Sequence, residues 1–210
     1  MDNFETVYKL IENDEQYLSK ENFYVVSIIQ RSKDYAENKN HFIRHYFVRN
    51  KAELLTLKPS IIDICQKYHA RAYFGLDVKN IRKVIHAQIT HNLELLTKRE
   101  FDGSEILSYR NSFDSICNRE ECSESKLRYI MIDIDDLQYI EIVRTAIEKY
   151  PFTEIPSKNG VHFIGKIRNE ICNINLKDLG DSITKIKTEY NIMNEIEIKK
   201  NSMTVLYCDD

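Results

Sequence analysis

The chain has 210 residues, of which 42% are apolar, so it is long enough to bury a sizeable core as one large domain or two closely packed lobes. Only five glycines and three prolines are present, which argues against linkers, low-complexity tracts and repeat architectures. No apolar run reaches the length of a membrane span and no signal peptide follows Met1, so we expect a cytoplasmic protein without a membrane partner.

The cysteines and the charges narrow the class of protein further. The five cysteines are scattered and form no Cys-x-x-Cys pair, which argues against a zinc ribbon and favours small core residues in a reduced compartment. The net charge of −3 is uneven, because residues 28–100 carry 14 Lys and Arg against 7 Asp and Glu. Such asymmetry suits an anion-binding surface beside a metal site, although proteins that bind no polyanion also show it.

Helices and strands alternate in the first half of the chain. Periodicity and residue type predict helices at 2–20, 51–57, 59–68 and 79–99, and strands at 22–30, 45–48 and 70–76. On the third strand, Arg71 is either a surface residue or an arginine aimed at an anion. The polar cluster from Gln30 to Asp34, which includes Lys33, is interpreted as a solvated turn, with a place at the edge of a cleft as the alternative.

The helix predicted at 79–99 has one apolar stripe. The stripe consists of Ile81, Val84, Ile85, Ile89, Leu93 and Leu96. His86 and His91 are five residues apart and therefore diverge, so we do not interpret them as metal ligands.

A polar, weakly periodic segment at 101–124 marks the predicted boundary between an N-terminal α/β lobe, residues 1–125, and a second lobe, residues 126–210. In the second lobe we predict strands at 128–135, 152–157, 161–167, 195–199 and 204–207, and helices at 136–149 and 176–190. The α+β order β-α-β-β-α-β is that of RRM-like or ferredoxin-like folds. In that order the first and third strands are neighbours, which predicts that Asp133 and Asp135 lie near strand 161–167.

The segment Tyr129 to Asp136, YIMIDIDD, is the centre of the functional prediction. Side chains alternate along a strand, so Asp133 and Asp135 share one face while Ile132 and Ile134 enter the core. Two neighbouring carboxylates repel each other, and a divalent cation with hard oxygen ligands, Mg²⁺ or Mn²⁺, relieves the repulsion. The alternative is a solvated pair beyond the end of the strand.

A second feature is Gly160-Val161-His162, which follows Lys158-Asn159 at a predicted hairpin. A glycine there lets the backbone approach a ligand closely, and the imidazole of His162 can then donate to a phosphate. A lone histidine at the start of a strand is more often structural, but a neighbouring pair of carboxylates favours the functional interpretation.

These motifs together resemble those of the archaeo-eukaryotic primase superfamily, which includes primases and primase-polymerases. The family has a strand ending in Asp-x-Asp, a small-x-His turn, and a later strand with one more acid. Here these correspond to Asp133 with Asp135, to Gly160 with His162, and to Glu197 in EIEIKK. Glu195 and Asp209 are the alternatives for the third acid. The resemblance covers 128–207 well and the first lobe loosely.

The resemblance implies nucleotidyl transfer to a 3′-hydroxyl on a nucleic-acid template with two Mg²⁺ or Mn²⁺ ions, held by Asp133, Asp135 and Glu197. His162 and Gly160 are then expected at the incoming nucleotide. Lys158, Arg71 and Lys33 are candidates to neutralise its triphosphate. Expected partners are nucleotide triphosphates, single-stranded DNA or primer-template, and a helicase or other replication protein. Because the zinc elements of many primases and a fused helicase domain are missing, the resemblance implies a minimal DNA-replication enzyme of a phage or mobile element, with Arg82 and Lys83 tracking the template.

Two other classes remain open at this point. A metal-dependent nuclease or phosphohydrolase also uses strand-end Asp-x-Asp, although such a site usually needs an additional base or lysine close in sequence, and none is obvious after Asp135. A non-catalytic nucleic-acid-binding module with the same fold is the third interpretation. Neither the choice between ribonucleotides and deoxyribonucleotides nor the ability to start chains follows from the sequence.

Overall fold

The computed structural model describes residues 1–14, 18–35, 39–97, 112–113, 115–124, 128–167, 174–192, 195–200 and 202–209. Helices described over their whole length are α1 (Phe4–Asp14), α2 (Ser32–Tyr35), α3 (Lys51–Tyr68), α4 (Ile81–Leu96), α5 (Ile140–Ile147) and α6 (Leu176–Tyr190). The strands are β1 (Asn22–Gln30), β2 (His41–Val48), β3 (Arg71–Gly75), β4 (Lys79–Asn80), β5 (Arg128–Ile134), β6 (Phe152–Pro156), β7 (Val161–Ile167), β8 (Ile196–Lys200) and β9 (Met203–Cys208). The chain is therefore α+β, as predicted, and both of its sheets are antiparallel.

The first sheet has the strand order β2-β1-β3-β9, and β4 also pairs with β1. Apolar side chains of α1 and α3 pack on one face of this sheet and form a core with alternate residues of its strands. The same core contains Tyr129 and Met131 of β5, so the two sheets share it. Asp14 is fully buried there and accepts hydrogen bonds from the hydroxyls of Tyr24 and Tyr129.

Two helices in the first half differ from the prediction. The segments predicted as separate helices at 51–57 and 59–68 form the single helix α3, with Pro59 inside it. Pro59 lacks the N–H that would bind the carbonyl of Leu55, but Leu55 is exposed, so water can satisfy that carbonyl. On α4, Val84 is buried, whereas the five other members of the predicted apolar stripe are exposed in the described structure.

The second sheet has the strand order β6-β7-β5-β8 and is antiparallel throughout. The elements from β5 to β8 follow the predicted order along the chain. Ile130, Ile132 and Ile134 pack with residues of α5 and α6 in a second core, while Tyr129 and Met131 face the first core. The period-two alternation of β5 therefore determines which of its residues face the helices and which face the other sheet.

The last strand departs from the prediction that residues 126–210 form one lobe. Strand β9 pairs with β3 in the first sheet, so the chain returns there after β8. Thr204 and Leu206 alternate inward on β9 and are both fully buried, which accounts for this return. The side chain of Asn3 ties the sheets together by donating to the carbonyls of Pro156 and Val205.

Four of the five cysteines are buried, as expected for small core residues, while Cys172 lies outside the described residues. No helix among the described residues is both long and apolar enough to cross a membrane.

Candidate functional site

A cleft of about 280 Å³ lies between residues of the two sheets, and we call it the charged cleft. Its walls come from the residue after β1 and from β3, β5, the β6–β7 hairpin, β7, β8 and β9. Its charged, histidine and tyrosine side chains are those of Arg31, Arg71, Tyr73, Asp133, Asp135, Lys158, His162 and Lys199. Five of the residues selected from the sequence therefore line one cavity.

Asp133 and His162 form the buried floor of the charged cleft. They are direct partners on β5 and β7, and the Nε2 atom of His162 lies 3.2 Å from Oδ1 of Asp133. The other ring nitrogen of His162, Nδ1, lies 2.9 Å from the hydroxyl of the fully buried Thr204. The imidazole is thus held on both sides, and its placement beside Asp133 confirms the predicted neighbourhood of β5 and β7.

Lys199 lies between two carboxylates on the other side of Asp133. Its Nζ atom is 2.5 Å from Oδ2 of Asp133 and 2.7 Å from Oε2 of Glu197. Asp133 and Glu197 are direct partners on β5 and β8, and Lys199 shares the face of Glu197 because it is two residues further along the strand. The ammonium therefore occupies the position of a counter-cation for both acids.

These contacts keep Asp133 ionised. Its burial by itself raises the pKa of the carboxyl, but hydrogen bonds from His162 and Lys199 outweigh burial and lower the pKa to about 2. For Lys199, burial lowers the pKa of the ammonium, and its hydrogen bonds to Asp133 and Glu197 raise it on balance. Asp133, one of the two acids whose repulsion we inferred from the sequence, is thus neutralised by a lysine that also contacts Glu197.

Asp135 lies just beyond the end of β5 and is exposed at the mouth of the charged cleft. Its backbone N–H donates to the carbonyl of Glu195 at 3.0 Å, which joins the end of β5 to the residue before β8. Glu197 is half exposed and reaches Asp133 only through Lys199. Within the described residues, no three His, Cys, Asp or Glu side chains form a ready-made metal-binding group.

Gly160 has a different role from the one predicted. A Cβ atom on it would lie 1.7 Å from the carbonyl oxygen of Ile134, so glycine is needed here for close packing against the end of β5. The β6–β7 hairpin has the four-residue loop Ser157 to Gly160. The φ angle of Asn159 is not positive, so the loop lacks the left-handed conformation of a two-residue Asn-Gly turn. The loop is closed by the Ser157 N–H, which donates to the Gly160 carbonyl. This contact places Lys158 and His162 beside Asp133 and Asp135.

The basic side of the charged cleft comes from the first sheet. Arg71 is buried and its Nη2 atom lies 2.6 Å from Oδ2 of Asp34, with a shorter contact to Oδ1. Arg31 donates to the hydroxyl of Tyr73 at 3.1 Å. The segment from Gln30 to Asp34, interpreted from sequence as a solvated turn, therefore contributes Arg31 to this cavity and Asp34 to its support.

Other predicted residues lie apart from the charged cleft. Lys33 belongs to α2, but its side chain lies outside the described part of the structure. Asp209 lines a neighbouring pocket that also contains Asp34, Arg71 and Lys158. On α4, Arg82 donates to Glu21 and Lys83 donates to the carbonyl of Ser123, so both predicted template-tracking residues have local partners.

Sequence reasoning missed Arg31, Tyr73, Lys199 and Thr204. The signal for Lys199 was present, because EIEIKK places a lysine on the same strand face as Glu197. Thr204 could not be found in this way, since its contact with His162 depends on β9 joining the first sheet. No known family model, curated protein or solved structure is significantly similar to this chain.

Proposed function

We propose that this protein is a metal-dependent nucleotidyltransferase of the primase or primase-polymerase type. The observation that carries the proposal is the convergence of Asp133, Asp135 and His162 in one cavity with the basic residues Lys158 and Arg71. The sheet order β6-β7-β5-β8 supports an RRM-like second lobe, because β5 and β7 are then its central strands. The resemblance of the three sequence motifs supports the reaction type.

The donor set suits Mg²⁺ or Mn²⁺. Carboxylate oxygens of Asp133, Asp135 and Glu197 are hard ligands, and the ammonium of Lys199 already stands in for a cation between two of them. When bound, two such ions stabilise the attacking and leaving oxygens of an in-line phosphoryl transfer. Lys199 must leave Asp133 and Glu197 for these carboxylates to serve as ligands.

The protein's own residues then have separate tasks. His162 is oriented at Nδ1 by Thr204, and its Nε2 can donate a hydrogen bond to a phosphate oxygen once it leaves Oδ1 of Asp133. Lys158, Arg31 and Arg71 offset the charge of a nucleotide triphosphate, and Arg71 keeps its orientation through Asp34. Single-stranded DNA or primer-template is the proposed second substrate, with a helicase or other replication protein as partner.

The decisive experiment is primer extension with labelled primer-template, Mn²⁺ or Mg²⁺, and each type of nucleotide. Asp133→Asn keeps the shape of the side chain but removes its charge, and we expect a loss of rate on the order of 10³-fold. Asp181→Asn, an exposed acid on α6, is the matched control and should keep full activity. Full extension by Asp133→Asn would refute the proposal, and shortened instead of extended primers would identify a nuclease.

A non-catalytic nucleic-acid-binding module is the second candidate. The contacts of Lys199 favour it, because the ammonium satisfies Asp133 and Glu197 without a metal ion. A calorimetric titration separates the two functions, since binding of Mn²⁺ that is lost in Asp133→Asn supports the enzyme. Absence of any metal binding, together with absence of extension, supports the module.

A further inference from the structure

A second groove, of about 340 Å³, lies on the face of the first sheet opposite α1 and α3. Its aromatic side chains on β2 are Phe42, His45 and Phe47, and we call this surface the aromatic face. Phe42 is 56% exposed and Phe47 is 47% exposed. Exposed apolar side chains that lie together on a surface are typical of binding sites.

A β-bulge brings the three rings to one face. Along a regular strand, Phe42 would point away from His45 and Phe47 because the separation of 42 and 45 is odd. The register between β1 and β2 shifts at Ile28 and Ile29, so Ser27 pairs with His45 while Ile29 pairs with Phe42. One extra residue on β2 therefore turns Phe42 to the same side, where its ring centroid lies 5.3 Å from that of His45.

The rings are held in place by their neighbours. Ser27 is buried, and its hydroxyl lies 3.0 Å from Nδ1 of His45. Phe47 makes edge contacts with Phe23 and Phe113, each with ring centroids 5.5 Å apart. The outer surfaces of Phe42 and Phe47 stay open to solvent.

The aromatic face continues into the charged cleft. Ser202 and Met203 line both cavities, so a chain-like ligand can pass from one to the other without leaving the protein surface. At the other end of this path, the charged cleft presents the cationic side chains of Arg31 and Lys158. A ligand with flat apolar groups on a polyanionic backbone fits these two features together, whereas an apolar peptide uses only the first.

We infer that the aromatic face binds a single strand of nucleic acid by stacking bases on Phe42 and Phe47, and leads it into the charged cleft. This inference rests on the proposed function for the choice of partner. Stacking on aromatic rings tolerates any base, so binding should depend little on sequence and strongly on salt.

The test is fluorescence anisotropy of a labelled oligothymidylate of about 15 nucleotides, without metal or nucleotides. We expect Phe42→Ala and Phe42→Leu to bind about 10-fold more weakly, because leucine keeps the apolar surface but offers no ring to stack on. Phe42→Trp should bind as tightly as the unmodified protein. Tyr190→Ala, which removes an exposed ring at the end of α6, is the matched control and should leave affinity unchanged.

The outcomes separate this inference from the proposed function. Unchanged affinity in Phe42→Ala, full affinity in Phe42→Leu, or no oligonucleotide binding by the unmodified protein at low salt would each overturn the inference, whatever the extension assay gives. Weaker binding by Phe42→Ala and Phe42→Leu, in a protein that extends no primer, would support the aromatic face and reject the proposed reaction.

Discussion

Ser202 and Met203 line both the charged cleft and the aromatic face, but the two surfaces differ in the residues that form them and in how exposed those residues are. In the charged cleft, His162 is buried and Asp133 is partly buried, and contacts with Thr204 and Lys199 fix their positions. On the aromatic face, Phe42 and Phe47 are half exposed, and their outer surfaces meet solvent. Substitutions in the charged cleft should therefore affect stability and chemistry together, whereas those on the aromatic face should affect binding alone.

Within the charged cleft, the largest stability effect is expected at the hairpin that shapes it. In Gly160→Ala the new methyl group would collide with the backbone carbonyl of Ile134, which cannot move away as a flexible side chain can. We expect a loss of about 3 kcal/mol in the free energy of unfolding, measured by urea denaturation. Gly180→Ala on α6 meets no atom within 4 Å and should stabilise the protein by about 0.5–1 kcal/mol. Equal effects at the two positions would contradict this account.

Asp133 should make the stability of the protein depend on acid pH. Its carboxyl has a pKa of about 2 in the folded state against an ordinary value of 3.8. A lowered pKa contributes stability that is fully present above pH 3.8 and is lost as the pH falls through 2. The contribution is about 2 kcal/mol, and thermal melts between neutral pH and pH 2 should show its loss in the unmodified protein. In Asp133→Asn this part of the pH dependence should be missing; an identical profile would contradict the ion pairs.

The third prediction concerns the counter-cation. In Lys199→Met, Asp133 and Glu197 lie opposite each other without an ammonium group between them. A divalent ion can then bind these carboxylates without displacing a lysine side chain. We expect Mn²⁺ to bind about 10-fold more tightly by calorimetry, a gain of about 1.4 kcal/mol. The neighbouring Lys200→Met keeps Lys199 and should bind Mn²⁺ as before. Weaker or equal binding in Lys199→Met would place the metal elsewhere.

The smallest effect is expected for Phe42→Ala. Because its ring is more exposed than buried, the free energy of unfolding should change by less than about 1 kcal/mol. Phe74→Ala, in the fully buried core of the same sheet, should cost about 3–5 kcal/mol in the same urea experiment. A large loss in Phe42→Ala would mean that the aromatic face is part of the core.

Local patterns in the sequence determined much of the second sheet. Alternation along YIMIDIDD was sufficient to predict that Asp133 faces away from Ile132 and Ile134, and the order of elements was sufficient to place β5 beside β7. These inferences succeed because strand periodicity is a property of the backbone and does not depend on distant residues. The motif Gly160-Val161-His162 was also found, although its glycine serves backbone packing.

Only the tertiary structure decided the other features of the two surfaces, because these features depend on contacts between residues far apart in the chain. The return of β9 to the first sheet brings Thr204 against His162, and the segment after β1 meets Arg71 through Asp34. The bulge in β2, which no alternation rule predicts, turns Phe42 to the side of His45. Most important, Asp133, which the sequence predicted to face another acid and a metal ion, is paired with Lys199, since a lysine on the neighbouring strand reaches it only after β8 aligns with β5.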